Sequence, residues 1–366
     1  MVRSVRLAAL GAGPLLLVAL AVGCGRESGS APLVYYESYD PRSLDPAFST
    51  DVPTGEMVTL LYDCLTRFSP DGGVAPGLSD RWTTSADGRR YVFHLRPNVR
   101  FHDGSVVTAR HIRSSLLRVL DPQARGGRAW PLLPIAGASA FASGAASDVA
   151  GIAVVGDTAV SFTLDRPLAV FPKFLAMPVA SITPDPAPAN LSEQPVGTGP
   201  WRFVSWRHDD QLVFARYADY WGGAAQADTL VVRIIPEELT RAAEFEAGRL
   251  SIVEIPFGET ARWERDHPAW LQRKPALRAT YVALNTTRGP LRDARVRQAI
   301  NHAVNVDAIL TTIFAGRGVI ARGAIPPSLP GGDTTRPRYG FDPDRARQLL
   351  AAAGYPQGID LQLWRS

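Results

Sequence analysis

Phe93-His94-Leu95-Arg96-Pro97-Asn98-Val99-Arg100-Phe101-His102-Asp103-Gly104 is the stretch from which the fold is read. It continues an alternation of apolar and polar residues that starts at Tyr91, the pattern of a half-buried strand. Asp87-Gly88 is a hairpin signal, and the stretch from Trp82 supplies the partner strand. Asp103-Gly104 predicts a tight turn, where glycine is free to take positive φ. Thr108 then N-caps a helix, with Ile112, Leu116, Val119 and Leu120 on one face at i, i+4, i+7 and i+8. His111 stands where a capping box wants an acid, so a weak helix start is expected.

Upstream, Leu33 to Tyr36 reads as a strand, and Asp40-Pro41 and Asp45-Pro46 as turns. Val58, Leu61, Tyr62 and Leu65 predict a helix over 56–68, with Cys64 inside it as a small buried hydrophobe. Downstream, 121–150 reads as loop with a short helical piece, and 151–164 as two strands around Gly156-Asp157. Four prolines between Pro178 and Pro188 mark a crossover between substructures. Strands are predicted at 201–206, 211–216, 229–235, 252–255, 281–284 and from 360 onward. Helices are predicted at 237–247, closed by Gly248, at 293–304, at 305–315, and from Asp342-Pro343 to Gly354. The mixture is α/β in character.

The 366 residues suffice for two or three domains, and 46% apolar against 20% charged residues permits a sizeable core. Two cysteines exclude a disulfide scaffold. The net charge of +4 includes Arg3 and Arg6; from Cys24 onward 37 basic residues face 35 acidic ones. A chain so balanced has no global field for nucleic acid.

Arg3 and Arg6 precede an apolar run, Leu7 to Val22, that is shorter than the ~20 residues of a membrane-spanning helix. The leader 1–23 reads as an export signal. Ala21-Val22-Gly23-Cys24, followed by a polar tether over 24–32, resembles a bacterial lipobox, with Ala21 where leucine is usual. The resemblance implies a lipidated Cys24 and a protein held on the outer face of the cytoplasmic membrane.

No catalytic constellation emerges. The six histidines are scattered, and neither HExxH nor CxxC occurs, so no metal site is expected. Gly137-Ala138-Ser139-Ala140-Phe141 lacks the last glycine of a nucleophile elbow, and no phosphate loop is present.

Five stretches carry a family resemblance. Ser43-Leu44-Asp45-Pro46 with Leu61-Tyr62-Asp63-Cys64-Leu65, Leu78-Ser79-Asp80-Arg81-Trp82, and the run from Phe93 to Gly104 with Thr108-Ala109 are the first three. Val196-Gly197-Thr198-Gly199-Pro200-Trp201 with Tyr220-Trp221-Gly222-Gly223 is the fourth, and Asn285-Thr286 with Asp293 to Ile300 the fifth. Together, in this order, they resemble the family 5 extracellular solute-binding proteins, the peptide- and nickel-type receptors of ABC importers.

The resemblance implies an α/β, two-lobed periplasmic-binding-protein-like fold of type II with an extra inserted domain. It divides the chain into a first part of lobe 1 at 33–50, an inserted domain at 51–182, a second part of lobe 1 at 183–283, and lobe 2 at 284–366. Lobe 2 is expected to be incomplete, because the family's second lobe runs on past the position of Ser366. Apolar helix faces beyond 286 should then lie uncovered, and solute binding should be weak. Solute contacts are expected at Thr50, Asp51 and Val52, at Trp130, at Phe257, and at Tyr281 and Asn285, without any cofactor. The implied partners are an oligopeptide or similar small solute and a membrane permease, with the receptor a monomer. Nickel, haem or sugar receptors on the same scaffold, a non-functional fragment, and a cell-surface enzyme are the rival readings.

Overall fold

The structure is a computed structural model that describes residues 31–363, apart from 125, 127, 275–278, 328 and 330. The leader, Cys24, most of the tether and Trp364 lie outside the described residues.

In chain order the elements are β1 (Leu33–Glu37), α1 (Val52–Leu61), β2 (Thr66–Phe68), β3 (Val74–Pro76), β4 (Ser79–Thr84), β5 (Arg90–Leu95), α2 (Ala109–Leu120) and α3 (Ala138–Ala142). Then come β6 (Ile152–Val155), β7 (Ala159–Thr163), α4 (Phe171–Phe174), β8 (Trp201–Arg207), β9 (Gln211–Arg216), β10 (Thr229–Ile234) and α5 (Glu238–Glu246). The remainder holds α6 (Thr260–Asp266), α7 (Ala294–Ala303), α8 (Val306–Ala308), which continues as a π-helical turn over Ile309–Ile313, and α9 (Pro343–Ala352).

One sheet has the order β1-β10-β9-β8, with β1 parallel to β10. A second has the order β4-β5-β7-β6 and is antiparallel throughout. Each is covered by the helix whose apolar face the sequence marks. Met57, Val58 and Leu61 of α1 join Leu212, Phe214, Leu230 and Val232 of the first sheet in one core. Ile112, Leu116, Val119 and Leu120 of α2 join Phe93, Val160 and Phe162 of the second. Each such side chain contributes about 1.5–3 kcal/mol by leaving water.

Two sequence expectations about helices are corrected. His111 does complete the capping box: its Nδ1 accepts the Thr108 N–H at 3.0 Å. Burial holds the imidazole pKa below its ordinary value, so a neutral ring keeps the lone pair that an acid would have supplied. The helix predicted over 56–68 instead spans 52–61, because Asp51 caps it earlier and Tyr62 turns extended. Beyond Tyr62 the carbonyls have non-helical partners. Asp63 accepts from Ile182, Cys64 from Leu78, and Leu65 from Gly77 and Ser79. The Cys64 thiol donates to the Met177 carbonyl, and burial pushes its pKa up to about 12.

Three predicted strands do not form. At 252–255 the chain runs beside β1, but Glu254 N–H bonds the Tyr36 hydroxyl rather than a ladder carbonyl. At 281–284 and 360–363 the alternation is present without a neighbouring strand to pair with among the described residues. Tyr281 and Leu363 stand 78% and 81% exposed. The helices α7 and α9 do pack, through Ala299, Ala346 and Leu349.

The two sheets are joined by a backbone seat. A Cβ on Gly197 would lie 2.0 Å from the Leu61 carbonyl oxygen, and one on Gly199 2.6 Å from that of Leu60. Only glycine fits so close to backbone. His102, from the run that opens the sequence reading, clamps this loop. Its Nε2–H donates to Gly199 O at 3.0 Å, and its Nδ1 accepts from Gly197 N–H at 3.3 Å. Burial pushes its pKa down to about 4, so it holds the loop as a neutral ring. Asp63 accepts from Thr198 Oγ1 at 3.0 Å, Tyr220 OH at 3.0 Å and Trp221 Nε1 at 2.9 Å. Arg96 lies over the Trp221 ring at 4.5 Å.

Asp63→Ala would leave three donors without their acceptor. It is expected to destabilise the chain by about 3 kcal/mol, read as a lower urea midpoint. An unchanged midpoint would show that Asp63 does not hold the seat.

Candidate functional site

The segment between β1 and α1 is short and turns twice. Asp45 caps a 3-10 turn at Pro46–Phe48 and accepts a bidentate pair from Arg118 of α2. The chain then presents Thr50 and Asp51 at the start of α1, where the N-cap role is local. Asp51 Oδ1 accepts the Thr54 N–H at 2.9 Å. Val52 is 66% exposed. Arg128 reaches this segment from the loop after α2, and its Nη2 donates to Thr50 O at 2.6 Å. Two residues on, Trp130 packs edge-on against Phe174 at 5.2 Å and leaves half its surface open. Thr50 thus meets the loop that carries Trp130, with Asp51 and Val52 following it in the chain.

The other sequence-predicted residues lie in different surroundings. Phe257 opens a 3-10 turn and packs edge-on against Phe314, which follows the π-helical turn, at 5.2 Å. Glu264 of α6 pairs with Arg317 at 3.0 Å in the same neighbourhood. Tyr281 is exposed, and Asn285 closes an Asx turn by accepting from Thr287 N at 3.1 Å and Thr287 Oγ1 at 2.8 Å. A shallow hollow beside β8, lined by Asn190, Gln194 and Phe203 among others, includes none of the predicted residues.

Sequence reading missed a group of carboxyls behind Asp51. Glu37 ends β1 and is only 7% exposed. Glu56 of α1 lies close enough for its charge to act on Glu37, whose Oε1 is buried without a partner. Glu56 Oε2 also accepts from Tyr35 OH at 3.3 Å. Burial, then the neighbouring Glu56 carboxyl and the charge of Asp51, push the Glu37 carboxyl up to about 8. Asp51 Oδ2 is buried too, and its nearest cation, Arg42, stands 3.7 Å off on an exposed side chain. The signal in the sequence was the strand itself. Alternation over Leu33 to Glu37 places Tyr35 and Glu37 on one side, and that side faces α1.

A carboxyl whose folded pKa lies above its unfolded value stabilises the fold only while it keeps its proton. Between about pH 4.5 and 8 the folded chain binds a proton at Glu37 that the unfolded chain releases, so this contribution falls as pH rises. Glu37→Gln, which cannot ionise, should melt higher than the parent at pH 8.5 and show a smaller gain at pH 5. Identical pH profiles in thermal melts would show that Glu37 does not titrate in this window.

With this geometry in hand, the chain can be compared with known proteins. Residues 73–364 match the family described as bacterial extracellular solute-binding proteins, family 5 Middle. The dipeptide-binding protein of Escherichia coli (strain K12) is 31% identical over 365 residues, covering 96% of this chain and 68% of that protein. The glutathione-binding protein GsiB of Pectobacterium atrosepticum is 32% identical, covering 88% and 61%. Heme-binding protein A of Haemophilus influenzae is 30% identical, covering 93% and 65%. The periplasmic binding protein DppA of Helicobacter pylori, solved in complex with the peptide STSA, superimposes with a TM-score of 0.75 at 29% identity, covering 90% of this chain and 67% of that one. The murein tripeptide binding protein MppA of Escherichia coli gives 0.77 at 27% identity, covering 89% and 67%. The chain thus spans about two thirds of the length of these relatives and has the α/β fold of two-lobed periplasmic binding proteins. It belongs to the bacterial extracellular solute-binding proteins of family 5.

Proposed function

We propose that the chain is the solute-capturing component of an ABC importer and takes an oligopeptide or a chemically similar solute. The observation that carries this reading is the likeness to a binding protein solved around a bound peptide, across nine tenths of the chain. The wall made by Thr50, Asp51, Val52, Arg128 and Trp130 offers what such a solute needs. It has an exposed aromatic face and backbone groups that bond a peptide main chain while its side chains are read loosely. Phe257, Tyr281 and Asn285 supply further contacts. Residues 33–50 and 183–283 form the first lobe, 51–182 the inserted domain, and the chain from 284 belongs to the second lobe. The lobes close over the solute by hinge motion, and the closed form is presented to a membrane permease. The receptor works as a monomer. No covalent step is involved, and turnover of peptides, esters or glycosides is not expected. Lipid on Cys24 holds the exported protein at the outer face of the cytoplasmic membrane.

Isothermal titration with tri-alanine should give saturable binding, and Trp130→Ala should weaken it about tenfold or more with the melting temperature nearly unchanged. Absence of binding across a set of di- to pentapeptides would overturn peptide capture. The anchor is tested separately. The full chain expressed in a bacterium should partition into detergent, and Cys24→Ala should move it to the aqueous phase. Equal partitioning would remove the lipid from the proposal.

A further inference from the structure

The loop that follows α2 is seated on the segment before α1 at two points. A Cβ on Gly126 would lie 2.2 Å from the Ala47 carbonyl oxygen, so the loop comes closer to this backbone than any side chain allows. Two residues on, Arg128 Nη2 donates to Thr50 O at 2.6 Å. Trp130 then packs edge-on against Phe174. The half-buried guanidinium of Arg128 is thereby fixed in place, by a seat that gives it position but no countercharge.

The other arginines that reach this segment have acids. Arg118 is met by Asp45, and Arg42 lies 3.7 Å from Asp51. Asp51 follows Thr50 in the chain, but its Oδ1 accepts the Thr54 N–H and its Oδ2 is buried. Among the described residues no carboxylate pairs with Arg128. Its Nε and Nη1 have no hydrogen-bond partner among them either. Neither atom is sealed off, in contrast to the buried Nε of Arg118 and of Arg241. These N–H groups therefore meet solvent where the loop joins Thr50, and Trp130 leaves half its surface open two residues further on.

A cation held against a neutral carbonyl keeps its charge unanswered, and partial removal from water strengthens its pull on an anion. The open edge of a guanidinium matches the two oxygens of a carboxylate. Fixed beforehand, it loses little side-chain freedom when the pair forms.

We propose that Arg128 is a subsite for a carboxylate of the captured solute. The inference rests on the receptor reading above and narrows it to solutes that present such a group, either the terminal carboxylate of a peptide or an acidic side chain. The bond to Thr50 stays in place while the open N–H groups take the carboxylate oxygens, so the ion pair forms without rearranging the loop. No covalent bond is made or broken. Because the pair stays partly open to water, the preference for the anion weakens as salt rises.

Two pairs of peptides test this by isothermal titration at low salt. Tri-alanine against its C-terminal amide probes the terminal carboxylate. Ala-Glu-Ala amide against Ala-Gln-Ala amide probes the side chain. In at least one pair the charged member should bind about tenfold tighter, and that pair identifies the source of the carboxylate. Arg128→Gln should abolish the preference, and Arg128→Lys should keep only part of it. If Arg128 merely props the loop, Arg128→Gln weakens both members of a pair equally and the preference survives, which would overturn the subsite. A preference in neither pair would also overturn it and leave peptide capture standing. If no peptide binds, peptide capture falls, and thermal melts with glutarate against glutaramide at matched ionic strength decide the subsite by themselves. Stabilisation by glutarate alone, lost in Arg128→Gln, supports it; equal or absent shifts overturn it.

Discussion

The molecule depends on one close approach of backbone to backbone. Gly197 and Gly199 lie against the carbonyls that end α1, too close for any side chain. Three groups hold them there: the neutral ring of His102, the Thr198 hydroxyl, and the carboxylate of Asp63. Asp63 also fixes Tyr220 and Trp221, and so ties the segment after β9 to the end of α1. Burial raises its pKa to about 6, yet the carboxylate is retained, because three donors converge on it. The motifs that looked like loops in the sequence are thus the parts of a single joint between the two sheets.

Much of this was legible beforehand. The hairpin from Trp82 to Leu95, the apolar face of α2, and the β8 to β10 meander follow from local period and turn chemistry, which tertiary context reinforced. The failures have a common cause. The helix assigned to 56–68 carried a valid apolar spacing, but Tyr62 and Leu65 are buried in different cores. A local pattern cannot say that two neighbours face different partners. The strand assigned to 281–284 had the right residues and no strand to pair with among the described residues, whereas 252–255 runs beside β1 without joining its ladder. His111 was discounted because an acid is the usual cap, whereas a neutral imidazole presents the same lone pair in the same place.

The candidate wall was legible only in part. Thr50, Asp51, Val52 and Trp130 could be placed by resemblance, but Arg128 could not. Nothing in its immediate sequence says that it reaches back to the carbonyl of Thr50. Glu37 and Glu56 were missed for a similar reason. Nineteen positions separate them, and each alone reads as an ordinary polar residue of a strand end or a helix face. Only the packing of α1 beside β1 buries Glu37 next to the charge of Glu56 and pushes its carboxyl up.

The parallel pairing of β1 with β10 sets the order in which the chain can acquire its shape. Leu33 finds its partner only when Leu230 has emerged, roughly two hundred residues later. The β4 to β7 sheet and α2, by contrast, are complete by Thr163, and even the wide pairing of Arg90 with Thr163 closes a much shorter stretch of chain. The intervening unit can therefore condense alone, while β1 waits as an unpaired edge. A chain that crosses a membrane before folding gains from such a delay, since its first strand remains uncommitted until most of the polypeptide is across.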